Sequence, residues 1–283
     1  MIKVIATDLD GTLFYPREVR TMIPKANIEL LKKFKDDGGR IVLVSGRSYF
    51  YAEKVIERLG FMVDSICCNA AVIHHGGELL EEHFLPTNFP EILKEIEESF
   101  LVRGQAIMSK DVPVVMRVTR RSHFKNFFLR LFYATQGVYK EKIVMNPDVW
   151  DEELNKGQIY KFMLYFGSGK KSKRRAEAAN EYLNKKYPML TTAFTSGSIE
   201  ITAKNASKAE GLAKYCQMYG INADEVIVCG DSGNDISMFQ AFPTHSFVMK
   251  HAWPSVKKHA RHEIRRVSEL GPYIESINVD CEE

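Results

Sequence analysis

The chain has 283 residues, 45% hydrophobic and 27% charged, enough for one large globular domain or two smaller ones. No window approaches the ~18 to 20 uninterrupted apolar residues of a spanning helix, and no apolar stretch follows a basic start, which argues against membrane insertion and secretion. Five cysteines without a regular framework, Cys67 and Cys68 adjacent, point to reduced thiols and a cytoplasmic location, and a net charge of +3 is too small to imply a nucleic-acid or membrane partner.

In chain order, IKVIAT (residues 2–7) reads as a buried strand, and residues 25–37 carry Ile28, Leu31 and Phe34 at helical spacing. IVLVS (41–45) is a second strand, 48–59 a helix and SICCN (65–69) a third strand, giving βαβαβ. The pattern then changes. Residues 89–101 place Phe89, Ile92, Leu93, Ile96 and Phe100 on one helical face; strand-like QAIMS and VPVVMRVT follow, then a helical run with Phe124, Phe127, Phe128 and Leu131. QIYKFMLYF, a polar helix at about 172–186 and a hairpin through TTAFTSGSIEITA complete this stretch. The first pattern then resumes with a helix over 207–219 ending at Gly220, the strand EVIVCG, a helix after Gly233 and the strand SFVMK.

Strands that alternate with helices and read as continuous apolar runs belong to a parallel sheet covered on both faces. The fold expected is therefore α/β, a Rossmann-like core in two pieces, 1–85 and 194–283, around an α+β insert at 86–193. The insert holds 19 Lys and Arg against 12 Asp and Glu, so it carries +7 and the remainder −4. The run GKKSKRR (169–175) is the notable basic cluster and reads as a solvated loop and first helical turn.

The first strand ends in DLDG. Residues two apart in a strand share a side, so Asp8 and Asp10 can face one volume, with Gly11 turning the chain away. Two close carboxylates suit Mg²⁺, and ligand crevices in such sheets lie at the strands' carboxyl ends. A surface Asp-Gly turn explains the pair equally well on its own. Ser45 and Gly46 follow the second strand, where a hydroxyl and free N–H groups can hold a phosphate oxygen, or Ser45 can simply cap the helix. Asp231, Asn234 and Asp235 gather at a later strand end and helix start, a position that capping also favours. Lys208 offers a compact cation against a transferring phosphoryl group, though a lone lysine is usually solvated.

The ordered set DxDGT, (S/T)G, Lys and GDxxND resembles the four motifs of the haloacid dehalogenase-like (HAD) phosphatases, and an α+β insert between the second and third motifs resembles the Cof-type branch with its class IIB cap. Three stretches depart from that branch: Asn69-Ala70-Ala71 stands for Asn-Gly-Ala, Lys250-His251-Ala252 for Gly-Asn-Ala, and no NEDGVA-like stretch is recognisable in RRVSELGPY. The resemblance implies a cytoplasmic Mg²⁺-dependent phosphatase acting on a small phosphorylated metabolite, a sugar phosphate or a phosphorylated cofactor. It implies Asp8 as nucleophile, forming an aspartyl-phosphate, and Asp10 as general acid and base. Mg²⁺ would be held by Asp8, the Asp10 carbonyl and Asp231. Phosphate would be held by the N–H of Leu9 with Ser45, Gly46, Lys208 and Asn234, and Asp235 would orient Lys208 or a metal-bound water. A phosphomutase on the same core, or a non-catalytic binding regulator, are the alternatives.

Lesser candidates are His259 and His262, three apart on an expected helix and read as a solvated pair rather than metal ligands; the phenylalanines 124, 127, 128 and 132, read as the insert's core; and Arg47 and Arg117 as helpers for anionic substrates.

Overall fold

The computed structural model describes residues 1–17, 22–118, 142–195 and 197–279. The aromatic run at 124–132 lies outside them. In chain order the described elements begin with β1 (Val4–Thr7), α1 (Lys25–Asp36), β2 (Arg40–Val44), α2 (Tyr49–Leu59), β3 (Asp64–Cys67), β4 (Val72–His75) and β5 (Glu78–Glu82). Next come α3 (Phe89–Ser99), β6 (Gly104–Ser109), β7 (Val114–Val118), β8 (Ile143–Val144), α4 (Pro147–Asn155), β9 (Ile159–Tyr165), α5 (Lys170–Lys186), β10 (Leu190–Thr195) and β11 (Ser198–Ala203). The last are α6 (Lys208–Met218), β12 (Val226–Gly230), α7 (Ile236–Ala241), β13 (Ser246–Met249), α8 (Pro254–Lys257), β14 (His262–Ile264) and α9 (Leu270–Val279). No described helix is long and apolar enough to cross a membrane.

The chain divides into two compact units, one of 1–47, 52–80 and 207–283, the other of 48–51 and 81–206. The first is built on an eight-stranded sheet of order β14-β13-β12-β1-β2-β3-β4-β5. Its six strands from β14 to β3 run parallel, and β4 turns back antiparallel on β3. Every residue of β1 and β12 is buried, as expected for strands covered on both faces. One face packs Val4, Ala6, Val42, Val44, Ile66, Val226 and Val228 against Leu212 and Tyr215 of α6 and Met238 and Phe239 of α7. Each valine, leucine, isoleucine, methionine or phenylalanine among them contributes roughly 1.5–3 kcal/mol on leaving water. The position of β1 matters most for function: Val4 pairs with Arg40 on one side and Val226 on the other, so β2 and β12 flank it. The residues that immediately follow these three strands, Asp8, Ser45 and Asp231, therefore emerge at one edge.

The second unit has a six-stranded sheet of order β10-β11-β9-β6-β7-β8, antiparallel except for β7 with β8. Phe89, Ile92, Leu93 and Ile96 of α3, Trp150 of α4, and Ala176, Ala179 and Leu183 of α5 form one core with Ile107, Val115, Phe162, Leu164, Ile199 and Ile201 of the strands. The period of two in β9 and β11 places Lys161 and Glu200 on the opposite face, where they pair at 2.8 Å. The basic run at 169–175 forms the start of α5, with only Ser172 of it buried.

The hairpin of β10 and β11 lies whole in the second unit, because β11 also pairs with β9. A boundary at Ala193 would cut it, and the chain re-enters the first unit at Ser207. The expected helix bearing His259 and His262 is not present: α8 stops at Lys257, and His262 opens β14 beside Phe247 of β13. Cys67, Cys68, Cys216 and Cys229 are buried thiols.

Candidate active site

Asp8 extends β1 by one residue, its N–H donating to the Cys229 carbonyl at 3.0 Å, and its side chain is 8% exposed. Lys208 reaches it from the first turn of α6, whose start is fixed by a reciprocal capping box between Ser207 and Glu210. The Lys208 ammonium, itself 1% exposed, donates to Oδ1 of Asp8 and to Oδ1 of Asp235, each at 2.6 Å. Burial opposes the charge on Lys208, but Asp235 and Asp8 together outweigh it and hold its pKa above the ordinary lysine range. Burial pushes the Asp8 carboxyl well above its usual range; Lys208 opposes this, while Asp235 and Asp231 add to it.

The other oxygen of Asp235 accepts from the N–H of Asp231 at 3.0 Å, the N–H of Ser232 at 2.9 Å and the Ser232 hydroxyl at 3.1 Å. Asp235 thus ties the turn after β12 to Lys208, and Asn234 takes part through Oδ1, which accepts from the Ser232 hydroxyl at 2.6 Å. Asp231 is pushed up to about 7, first by burial and then by Asp235. It packs directly over Gly11, where a Cβ would lie 2.3 Å from its Oδ2, so glycine is required there by space as well as by its φ of +82°.

Asp8, Asp231 and Asp235 can each offer an oxygen within 4.8 Å of the others. Asp235 is already engaged by hydrogen bonds, whereas Oδ1 of Asp231 is buried and accepts no hydrogen bond from the described residues. Hard oxygen donors, crowded negative charge and an orphaned carboxylate oxygen fit a divalent cation between Asp8 and Asp231. The Asp10 side chain does not join that cluster: both of its oxygens accept from Arg47, at 2.7 and 3.1 Å.

Ser45 is buried, and its hydroxyl accepts from the Arg47 N–H at 3.2 Å. The turn after β3 holds this loop, with Cys68 N–H donating to the Arg47 carbonyl at 2.8 Å and Asn69 N–H to the Ser45 carbonyl at 3.1 Å. Cys68, Asn69 and Ala70 all have positive φ, at 50°, 57° and 75°. Such a conformation costs roughly 1–2 kcal/mol per non-glycine residue.

Of the residues expected at this site, Asp8, Lys208, Asp231, Asn234 and Asp235 are linked in one cluster, with Leu9 and Asp10 in the turn after β1 and Ser45 and Gly46 after β2. Arg117 is in the second unit, 3.8 Å from Glu97 and over the Trp150 ring. Sequence reading missed the left-handed turn at 68–70 and the surroundings of His251, whose Nε2 lies 3.6 Å from Oδ2 of Asp231 and whose ring packs on Tyr15 with centroids 4.1 Å apart. The replaced Gly-Asn-Ala triplet was the signal for the latter.

The chain is similar to proteins named as phosphatases. A 5-amino-6-(5-phospho-D-ribitylamino)uracil phosphatase of Bacillus subtilis is 24% identical over 272 residues, 91% of each chain. A pyridoxal phosphate phosphatase of Escherichia coli is 24% identical over 266 residues, again 91% of each. The structure of a HAD subclass IIB sugar phosphatase superposes with a TM-score of 0.74 at 19% identity, covering 98% of this chain and 99% of that one. The family model described as haloacid dehalogenase-like hydrolase matches residues 5–271, and the chain belongs to that family as a Cof-type HAD phosphatase, a phosphoric monoester hydrolase.

Proposed function

We propose that the chain is a Mg²⁺-dependent phosphatase of small phosphorylated metabolites, sugar phosphates or phosphorylated cofactors, working through an aspartyl-phosphate on Asp8. The observation that carries this reading is the buried Lys208 ammonium, 2.6 Å from Asp8 at an edge where three strand ends meet. Asp8 forms the new O–P bond as the ester's P–O bond breaks, and Asp10 delivers a proton to the departing alcohol oxygen. Asp10 then takes a proton from water, whose oxygen displaces Asp8 and frees inorganic phosphate. Lys208, Ser45, the N–H groups of Leu9 and Gly46, and Asn234 hold the phosphate oxygens, while Asp235 keeps Lys208 in place. Asp8, Asp231 and the Asp10 carbonyl would hold Mg²⁺, which supplies charge neutralisation between the nucleophile and the phosphate dianion.

The two relatives named for phosphorylated cofactor-like compounds and the +7 charge at residues 86–193 favour an anionic metabolite. The test is phosphate release from sugar phosphates, nucleotides, flavin mononucleotide and pyridoxal phosphate, in Mg²⁺ or EDTA, by the native protein and Asp8→Asn. Release that needs Mg²⁺ and disappears in the variant is expected. Phosphate transferred to a second substrate rather than released would make the protein a mutase, and an active Asp8→Asn would remove the covalent route.

A further inference from the structure

Arg47 meets Asp10 as a fork, Nε to Oδ2 at 2.7 Å and Nη2 to Oδ1 at 3.1 Å. The side chains are 15% and 34% exposed, so this is a partly desolvated pair rather than a solvated one. A two-point guanidinium–carboxylate contact fixes the plane of the carboxylate as well as its position, which a lysine's point charge does not. The base of Arg47 is itself anchored. Its N–H donates to the Ser45 hydroxyl, and its carbonyl accepts from Cys68 within the left-handed turn at 68–70. The loop expected to hold phosphate and the carboxylate expected to move protons are thus joined through one side chain.

We propose that Arg47 is a positioning residue that sets the orientation of Asp10 for proton transfer, an inference that rests on the phosphatase reading above. A carboxylate offers about four lone-pair sites and the fork takes two, so Asp10 keeps sites for a proton while losing rotation about its last bond. General acid–base catalysis depends on that alignment, and small misplacements reduce rate by roughly 100-fold. An arginine that instead gripped the substrate phosphate would act on binding and independently of Asp10.

The two roles separate in a double-mutant cycle with p-nitrophenyl phosphate as substrate and inorganic phosphate as competitive inhibitor. Arg47→Met is expected to lower kcat about 10- to 100-fold, with KM and the phosphate inhibition constant within about twofold of the native protein. Arg47→Met/Asp10→Asn should be no slower than Asp10→Asn alone, because the second change removes what the first one orients. Arg47→Lys, which keeps the charge and loses the fork, should recover only part of the rate. Thermal melting of each variant identifies any loss of fold, and Arg47→Gln takes the place of Arg47→Met in the cycle if that variant is unfolded. Losses that multiply in the double variant, full rescue by lysine, or a rise in KM and inhibition constant as large as the fall in kcat overturn the inference alone. No turnover of p-nitrophenyl phosphate or of any panel ester by the native protein overturns the phosphatase reading and this inference with it.

Discussion

A Cβ added to Gly211 would lie 2.4 Å from the Cβ of Ala70. The helix that carries Lys208 therefore packs closely on the left-handed turn that grips the Ser45 loop, through the Ala70 methyl, and Cγ2 of Ile66 lies 3.0 Å from the same point. Ala70 itself holds a φ of +75°, a conformation that favours glycine.

Gly211→Ala should accordingly destabilise the protein by about 1–3 kcal/mol through overpacking. Ala70→Gly alone should stay within about 1 kcal/mol, since relief of the left-handed strain offsets the lost methyl and the looser unfolded chain. Combined, the two should recover part of the stability lost in Gly211→Ala, the approach to Ile66 Cγ2 remaining, a coupling measurable by urea denaturation of the four proteins. Additive effects would mean that helix and turn do not touch in solution.

Lys208 illustrates how burial changes a forecast. A solvated lysine is replaceable at little cost, but this one lies between two buried carboxylates. Lys208→Ala should therefore lower unfolding free energy in EDTA by about 3 kcal/mol or more, in addition to slowing phosphate release. Unchanged denaturation midpoints would contradict the buried triad.

The orphaned oxygen of Asp231 leads to a prediction about metal that does not depend on turnover. Mg²⁺ should raise the melting temperature of the native protein, by an amount equivalent to about 2.7 kcal/mol at 100 times the dissociation constant. Asp231→Asn should lose most of that shift while remaining folded in EDTA. An equal Mg²⁺ shift in both proteins would place the cation elsewhere.

Acid should act at another place in the first unit. His245 Nδ1 lies 2.7 Å from the Tyr273 hydroxyl, which lies 3.4 Å from His262 Nε2. Burial is the leading cause that holds both histidines below their ordinary pKa; Arg261 repels both, and His245 also repels His262. The unfolded chain then binds protons near pH 6.5 that the folded protein refuses. The stability these neutral rings contribute is complete above about pH 6.5 and is lost as pH falls through their folded pKa values. Denaturation at pH 5 and 7.5 should show a smaller pH dependence in His245→Gln/His262→Gln than in the native protein.

The core was legible because its apolar runs end in acid, glycine or serine, and β1, β2 and β12 stop where DLDG, SGR and GDSGND begin. The β4–β5 pair escaped notice, although Gly76 and Gly77, both at positive φ, mark the turn between them. So did α4, although Asn146 caps it and Pro147 opens it. His262 was misread because three-residue spacing says nothing when the helix stops earlier, at Lys257. The pairing of Arg47 with Asp10 and the burial of Lys208 depend on which strands are neighbours, and local periodicity does not carry that information.

The pairing of Val4 with Val226 places the first strand beside one that leaves the ribosome only after the whole insert has been made. At roughly 5–20 residues per second, β1 waits on the order of ten seconds or longer for that neighbour. Asp8 is made before the insert, and Lys208 and Asp231 only after it. A nascent or truncated chain thus has an acidic strand end without the Lys208 ammonium or the Asp231 carboxylate, and assembly of the candidate site coincides with completion of the core.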